Sequence, residues 1–71
     1  MKFETGKFYK HTTGHMLHIL RRVPTTMYGK ALIAESVGGH HAAEIMAVGS
    51  DESATVNYVE ASKSEWDANF S

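Results

Sequence analysis

The segment Arg21-Arg22-Val23-Pro24-Thr25-Thr26-Met27-Tyr28-Gly29-Lys30 puts three cations, two adjacent hydroxyls, an aromatic ring and a glycine into ten positions. These are the parts of an anion site. A guanidinium offers paired donors to a phosphate, and an ammonium offers a compact point charge. Tyr28 supplies a flat ring on which a base stacks, and the backbone near Gly29 supplies N–H groups that converge on an anion. Arg21 and Arg22 are neighbours, so on a strand only one of them faces a given side. Pro24 fixes φ and presents Thr25 and Thr26 in a restricted geometry. Tyr9-Lys10-His11-Thr12-Thr13-Gly14-His15 repeats the theme with an aromatic, a cation, hydroxyls and a glycine. The candidate ligand residues are therefore Lys10, His11, Thr12, Thr13, Arg21, Arg22, Thr25, Thr26, Tyr28 and Lys30. Two such loops, brought together within one chain or between subunits, make a pocket for a nucleotide. The competing reading is two ordinary polar turns, with Tyr28 packed on the rim of the fold.

Other chemistries find less support. The five histidines are His11, His15, His18, His40 and His41. His15 and His18 point to opposite faces of a strand and cannot share an ion, whereas His11 and His15 flank a turn and can approach each other. No spaced ligand quartet is present, so no metal site is assigned. No serine or threonine sits in a nucleophile elbow. The carboxylate pair Asp51-Glu52 lies among Ser and Gly, a solvated setting that does not raise a pKa. The chain is read as non-enzymatic and without a cofactor.

At 71 residues it forms one small domain, 1–71, of a size that is marginal alone. There is no cysteine, so no disulfide assists it, and a reducing compartment is compatible. No apolar run approaches the ~20 residues that cross a bilayer, and the first eleven residues lack a signal-peptide core. The expectation is a cytoplasmic protein that engages no membrane. The net charge of −1 conceals an asymmetry. Residues 1–30 carry six cations against Glu4 alone, giving +5, and residues 31–71 carry seven acids against Lys63, giving −6. Such an imbalance suits complementary pairing inside the sheet or between subunits, or a basic face for an anionic ligand.

The elements that must position these residues are short. Glycine and turn residues divide the chain into strands at about 7–11, 15–25, 30–36, 42–48 and 55–61, with turns at 12–14, 26–29, 37–41 and 49–54. Pro24 marks the end of the second strand or an edge, since it cannot donate to a ladder. Ser62 and Glu65 have capping-box spacing and start a helix over about 63–70. Trp66 and Phe70, four apart, share its face and close one end of the sheet. The expected fold is mainly β: a compact five-stranded antiparallel sheet or SH3-like small barrel with a short C-terminal helix. Strict alternation puts Leu17 and Ile19 on one side of the second strand, and Met16, His18, Leu20 and Arg22 on the other. The central strands thus carry apolar residues on both faces. Met16, Leu20, Ile33, Met46 and Val48 are more than so short a chain covers, which predicts a homo-oligomer, dimer or tetramer.

"FETGKFYKHTTGHMLHIL", "TTMYGKALIAE" and "NYVEASKSEWDANF" together resemble short open reading frames of phages and prophages. The shared pattern is a Gly-Lys-aromatic start, a Thr-Thr-x-Tyr-Gly-Lys loop and a Trp-containing tail before Asn-Phe. Some compact phage proteins of this size are oligomeric sponges that sequester the cyclic nucleotide signals of bacterial immunity. The resemblance implies a non-enzymatic binder of a cyclic dinucleotide or related nucleotide signal that counters host defence in the host cytoplasm. It points to Thr25, Thr26, Tyr28 and Lys30. Two alternatives stand beside it. One is a protein-interaction module that inhibits a host enzyme through the acidic C-terminal half. The other is a small nucleic-acid-binding module using the basic N-terminal half, disfavoured by the acidic overall charge.

Overall fold

The computed structural model describes residues 2–27, 29–38, 41–48 (backbone alone at 41–43) and 56–70. Five antiparallel strands, β1 (Phe8–His11), β2 (Met16–Thr25), β3 (Gly29–Gly38), β4 (His41–Val48) and β5 (Tyr58–Ala61), form one sheet in the order β4-β3-β2-β1-β5. A short helix α1 (Lys63–Asp67) follows and tightens into a 3₁₀ turn over Ala68–Phe70, where a single helix was expected. The sheet is open, with β4 and β5 at its two edges, and is not closed into an SH3-like barrel. The third turn is tighter than expected, since Val37 and Gly38 belong to β3 and His41 to β4. The polar turn at 49–54, with Asp51-Glu52, lies outside the described residues, as do Tyr28 and His40.

The two faces of the sheet are covered by the two ends of the chain. The front face carries Tyr9, Leu17, Ile19, Leu32 and Ala34, which the register sets side by side. After Glu4 the chain turns back on itself, with the Lys7 N–H donating to the Glu4 carbonyl at 3.2 Å. Phe3 is thereby laid on the front face, edge-on to Tyr9 and Tyr58 with ring centroids 4.8 and 5.1 Å away. The Tyr9 hydroxyl accepts the Glu4 N–H at 2.8 Å, so this buried phenol is satisfied.

On the back face, Phe8, Met16 and His18 meet α1. Phe8 stacks on His18 at 4.4 Å, and Trp66 packs against both at 5.8 and 5.6 Å. Asn69 reaches back to the Met16 sulfur at 3.3 Å. The helix starts where the capping box predicts: Ser62 Oγ accepts the Glu65 N–H, and Glu65 accepts the Ser62 N–H. Gly38, at φ 101°, ends β3 where a Cβ would lie 3.3 Å from the His15 Cα, so only glycine lets β3 run past the β1–β2 turn.

One extra residue in β2 alters the expected pattern. The register pairs Ile19 with Ala34 but Arg21 with Ile33, leaving Leu20 as a bulge. Beyond it the alternation is inverted. Arg22, expected on the same side as Met16 and His18, instead shares the front face with Leu32, and Arg21 falls on the back. The five residues expected to form one surplus apolar face are divided as well. Met16 is buried on the back face, Ile33 lies on the back opposite Arg21, Met46 and Val48 lie on the front opposite Ala34 and Leu32, and Leu20 sits in the bulge. Pro24 does not end β2. It pairs with Lys30, and the strand continues to Thr25. Among the described residues no strand flanks β2 on its other side there, so the missing N–H costs no ladder bond.

Trp66 is 7% exposed, whereas Phe70 is 59% exposed. Truncation of Trp66 to Ala is expected to cost about 3 kcal/mol or more, and of Phe70 to Ala about 1 kcal/mol or less. Urea unfolding of both variants checks this, and equal losses would refute the division of labour. Burial raises the Tyr9 hydroxyl above its ordinary 10.0. The unfolded chain therefore ionises first, so the stability tied to Tyr9 is complete below pH 10.0 and is lost as pH rises through the higher folded value. Tyr9→Phe should lower stability at pH 8 by about 1 kcal/mol through the lost Glu4 bond and flatten the alkaline decline of the melting temperature.

Candidate functional site

The ten candidate residues separate into two groups at opposite ends of β2. Ten residues of strand at ~3.3 Å each place the tips roughly 30 Å apart, so the two loops do not form one pocket within a chain.

At the β1–β2 turn the polar groups are already engaged with one another. Thr12 and Thr13 form the tip, Gly14 takes φ 104°, and the Gly14 N–H closes onto the His11 carbonyl at 2.9 Å. The two imidazoles do approach, stacking at 4.6 Å. The Thr13 N–H is a donor of fixed direction, which makes His11 Nδ1 its acceptor at 3.1 Å. The polarity of the rest follows. Thr13 Oγ1–H donates to His11 Nδ1 at 2.9 Å, His15 Nδ1–H donates to Thr13 Oγ1 at 3.1 Å, and Tyr58 O–H donates to His15 Nε2 at 2.9 Å. Four side chains from β1, the β1–β2 turn and β5 thus form one directed chain, with the proton of His11 on Nε2. Its effect is to tie β5 to the β1–β2 turn. Lys10 points to the other face of β1 from His11, opposite Met16 and Val59. Thr12 spends its N–H on the Asn57 carbonyl at 3.1 Å. Tyr58 was not singled out in the sequence. Its signal would have been the His11↔Tyr58 register, which depends on strand pairing rather than on local spacing.

The second group lies on an arm. β1 is four residues long and pairs with β2 only at its first half, and β5, also four residues, pairs with β1 on the far side. Arg21 and Arg22 stand at the base of the arm, where β4 still flanks β3, and from Val23 to Thr25 β2 pairs with Gly29 to Ala31 of β3 and with no other described strand. Thr26 and Met27 are at the tip, and Tyr28 lies outside the described residues. The bulge decides which cations cooperate. Arg22 lies opposite Leu32, and Lys30 lies opposite Pro24 two residues along, so Arg22 and Lys30 are diagonal neighbours on the front face. Such pairs are close enough for long side chains to meet one ligand. Arg21 is alone on the back. Thr25 turns its hydroxyl to the Gly29 carbonyl at 2.7 Å, which pins the tip. Between Glu4 and Glu35 there is no acidic residue, and neither arginine nor Lys30 makes an ion pair with a described residue. Lys7, by contrast, is paired with Glu60 across β1–β5 at 3.6 Å. The charge asymmetry is thus partly balanced inside the sheet and left unbalanced on the arm.

Among the described residues no group of three or more metal-ligating side chains converges, and no helix is long and apolar enough to cross a membrane. A groove that the sequence did not suggest lies between α1 and the β3–β4 edge, lined by Glu35, Val37, Glu44, Ile45, Trp66 and Phe70, with Ser36 between them. Trp66 and Phe70 were expected as a lid, yet Phe70 stands out from the surface as one wall of this groove. No family model, curated protein or solved structure matches the chain.

Burial raises the Tyr58 hydroxyl above 10.0, which keeps it a donor to His15 through neutral and mildly alkaline pH. Tyr58→Phe is expected to lower stability by about 1 kcal/mol at pH 8 and to speed amide exchange at Thr12 and Thr13, the residues it tethers. Unchanged exchange there would mean that the chain of hydrogen bonds does not hold the turn.

Proposed function

We propose that the protein is a non-enzymatic binding module that holds a phosphate-bearing, nucleotide-type ligand on the front face of the β2–β3 arm. One observation carries this reading. The bulge at Leu20 puts Arg22 and Lys30 on the same face of a ribbon that bears no acidic residue. Arg22 contributes paired donors and Lys30 a point charge, while the arm backbone, pinned by Thr25, lowers the ordering cost of binding. Tyr28, next in sequence to Gly29, is the aromatic proposed to stack on a base. In the narrower form of the proposal the ligand is a cyclic dinucleotide or related signal in a host cytoplasm, sequestered to blunt host defence. Binding without turnover suits a site that consists of cations, a hydroxyl and a ring.

A second reading has its own support. Beyond Arg22 the arm is a two-stranded ribbon, with Arg21 and Arg22 on opposite faces at its base, and a two-stranded β-ribbon fits the major groove of duplex DNA. A ligand clasped on one face and a duplex enclosing the ribbon differ in which arginine matters.

Calorimetric titration with cyclic dinucleotides and with a short duplex, at two salt concentrations, separates them. For the nucleotide reading, Arg22→Ala and Lys30→Ala should each weaken binding about tenfold and flatten its salt dependence, with Arg21→Ala within about twofold of wild type. Tyr28→Ala should cost about 1–3 kcal/mol with little change in salt slope. Equal losses from Arg21→Ala and Arg22→Ala, with duplex as the ligand, would transfer the assignment to nucleic acid. Wild-type affinity in all variants would end both readings.

A further inference from the structure

The end of the sheet opposite the arm is built on histidines, and we propose that it is an acid-triggered latch: neutral imidazoles hold the β1–β2 turn to β5, and protonation of His11 releases it. His11 and His15 flank that turn, and their rings stack at 4.6 Å. The β3–β4 turn adjoins it, because a Cβ on Gly38 would come 3.3 Å from the His15 Cα. His41 pairs with Gly38 at the start of β4, and His40 precedes it in sequence. Two adjoining turns and their flanks therefore carry four of the five histidines. Segments 5–34 and 36–43, which supply both turns, contain no carboxylate.

The two stacked rings differ in what a proton does to them. His15 already donates from Nδ1 to Thr13 Oγ1. A proton on its Nε2 makes that nitrogen a donor too, and the Tyr58 oxygen accepts it once its own hydrogen turns away. His15 therefore takes a proton with both bonds kept. His11 has no such freedom. Its Nδ1 accepts the Thr13 N–H at 3.1 Å, and the backbone fixes the direction of that donor. A proton on Nδ1 sets two donors head to head, so the Thr13 N–H loses its partner. Two charged rings at the stacking distance also repel. Among the described residues, no acid offsets this charge. Tyr58 faces both rings from β5 at 4.8 and 5.6 Å, Lys10 lies on the other face of β1, and Tyr9 turns its hydroxyl to the Glu4 N–H. Glu60, two residues along β5 from Tyr58, is engaged with Lys7, and the 3₁₀ turn brings uncharged Asn69 beside Gly38. The closed turn thus admits fewer protons than the open one. Its hold is complete where imidazoles are neutral and is lost as pH falls through the range in which they charge, about pH 8 to 5.

The test is ring-nitrogen and solvent-exchange NMR on wild type and on His11→Asn. An asparagine side chain accepts from the N–H two residues on in turns of this kind, so the variant keeps the Thr13 bond and brings no titrating group. At about pH 7.5, where imidazoles are mostly neutral, the wild-type spectra should show the His11 proton on Nε2 and the His15 proton on Nδ1. Acidification to about pH 5 should lower the protection of the wild-type Thr13 amide about fivefold relative to its intrinsic exchange. The Thr12 amide, whose bond to the Asn57 carbonyl joins the turn to the approach to β5, should fall with it. His11→Asn should change by less than about twofold at both amides. The Ile19 amide, which donates to the Lys7 carbonyl at 3.0 Å, reports on the rest of the sheet and should keep its protection throughout. Equal acid loss in wild type and variant, an unchanged Thr13 amide, or a Thr12 amide that stays protected while Thr13 opens would overturn the proposal. So would a His11 proton on Nδ1 at the higher pH, or an equal loss at Ile19, which would mean that acid unfolds the whole domain rather than opening this end.

Discussion

A single small sheet has two faces, and among the described residues the segments before β1 and after β5 cover them. Everything else in the structure depends on how that is done. The N-terminal turn places Phe3 on the front, and the C-terminal capping box places Trp66 on the back. Both covers sit over the same half of the sheet, where β1 pairs with the start of β2 and β5 with β1. Of the buried cluster, Phe3, Tyr9, Leu17, Ile19 and Ala34 are gathered there, with Leu32 just past the bulge at its margin. Burial of large side chains at ~1.5–3 kcal/mol each is what such a domain lives on, so the covered half holds the fold and the uncovered half is available for contact.

The bulge at Leu20 marks the boundary between these halves. On one side β2 has partners on both edges, and on the other it pairs with β3 alone. A bulge increases local twist and bends its strand. It also settles the electrostatics. Lys7 lies where Glu60 is within reach and is neutralised, whereas Arg22 and Lys30 lie where no described acid is near. The positive potential of the N-terminal half is therefore concentrated on the arm by topology rather than by composition.

Much of this was legible in the sequence, and what was not shares a cause. The five strands and the capping box follow from local chemistry: Gly14, the Gly38 turn, the apolar alternation of Leu17 and Ile19, and the Ser62–Glu65 spacing. The assignment of Arg22 to a face did not follow, because a bulge is a property of two strands in register and no residue in β2 alone demands it. Of the two readings of Pro24, strand end or edge, the edge holds, and the sequence alone could not choose between them. Its missing N–H excludes it from a flanked strand, but whether a strand is flanked is decided by the length of β1. The linkage of His15 to Tyr58 spans 43 positions and rests on β1–β5 pairing. The groove escaped notice because Phe70 was read as buried from its spacing with Trp66, whereas the tightening into a 3₁₀ turn leaves its ring standing outward.

The separation between the covered half and the arm has a consequence for how such a chain can change over time. Past the bulge, among the described residues of the arm, Ala31 and Leu32 alone are buried, so most of these positions carry no packing obligation. Substitutions and length changes concentrate at exposed tips of this kind because they leave the core contacts intact. The arm behaves as an interchangeable cartridge on a fixed mount: related chains are free to differ in its tip and cations while keeping Phe3, Tyr9, Leu17, Ile19 and Trp66. Divergence in ligand preference would then accumulate between residues 21 and 31 without any loss of the domain that presents it.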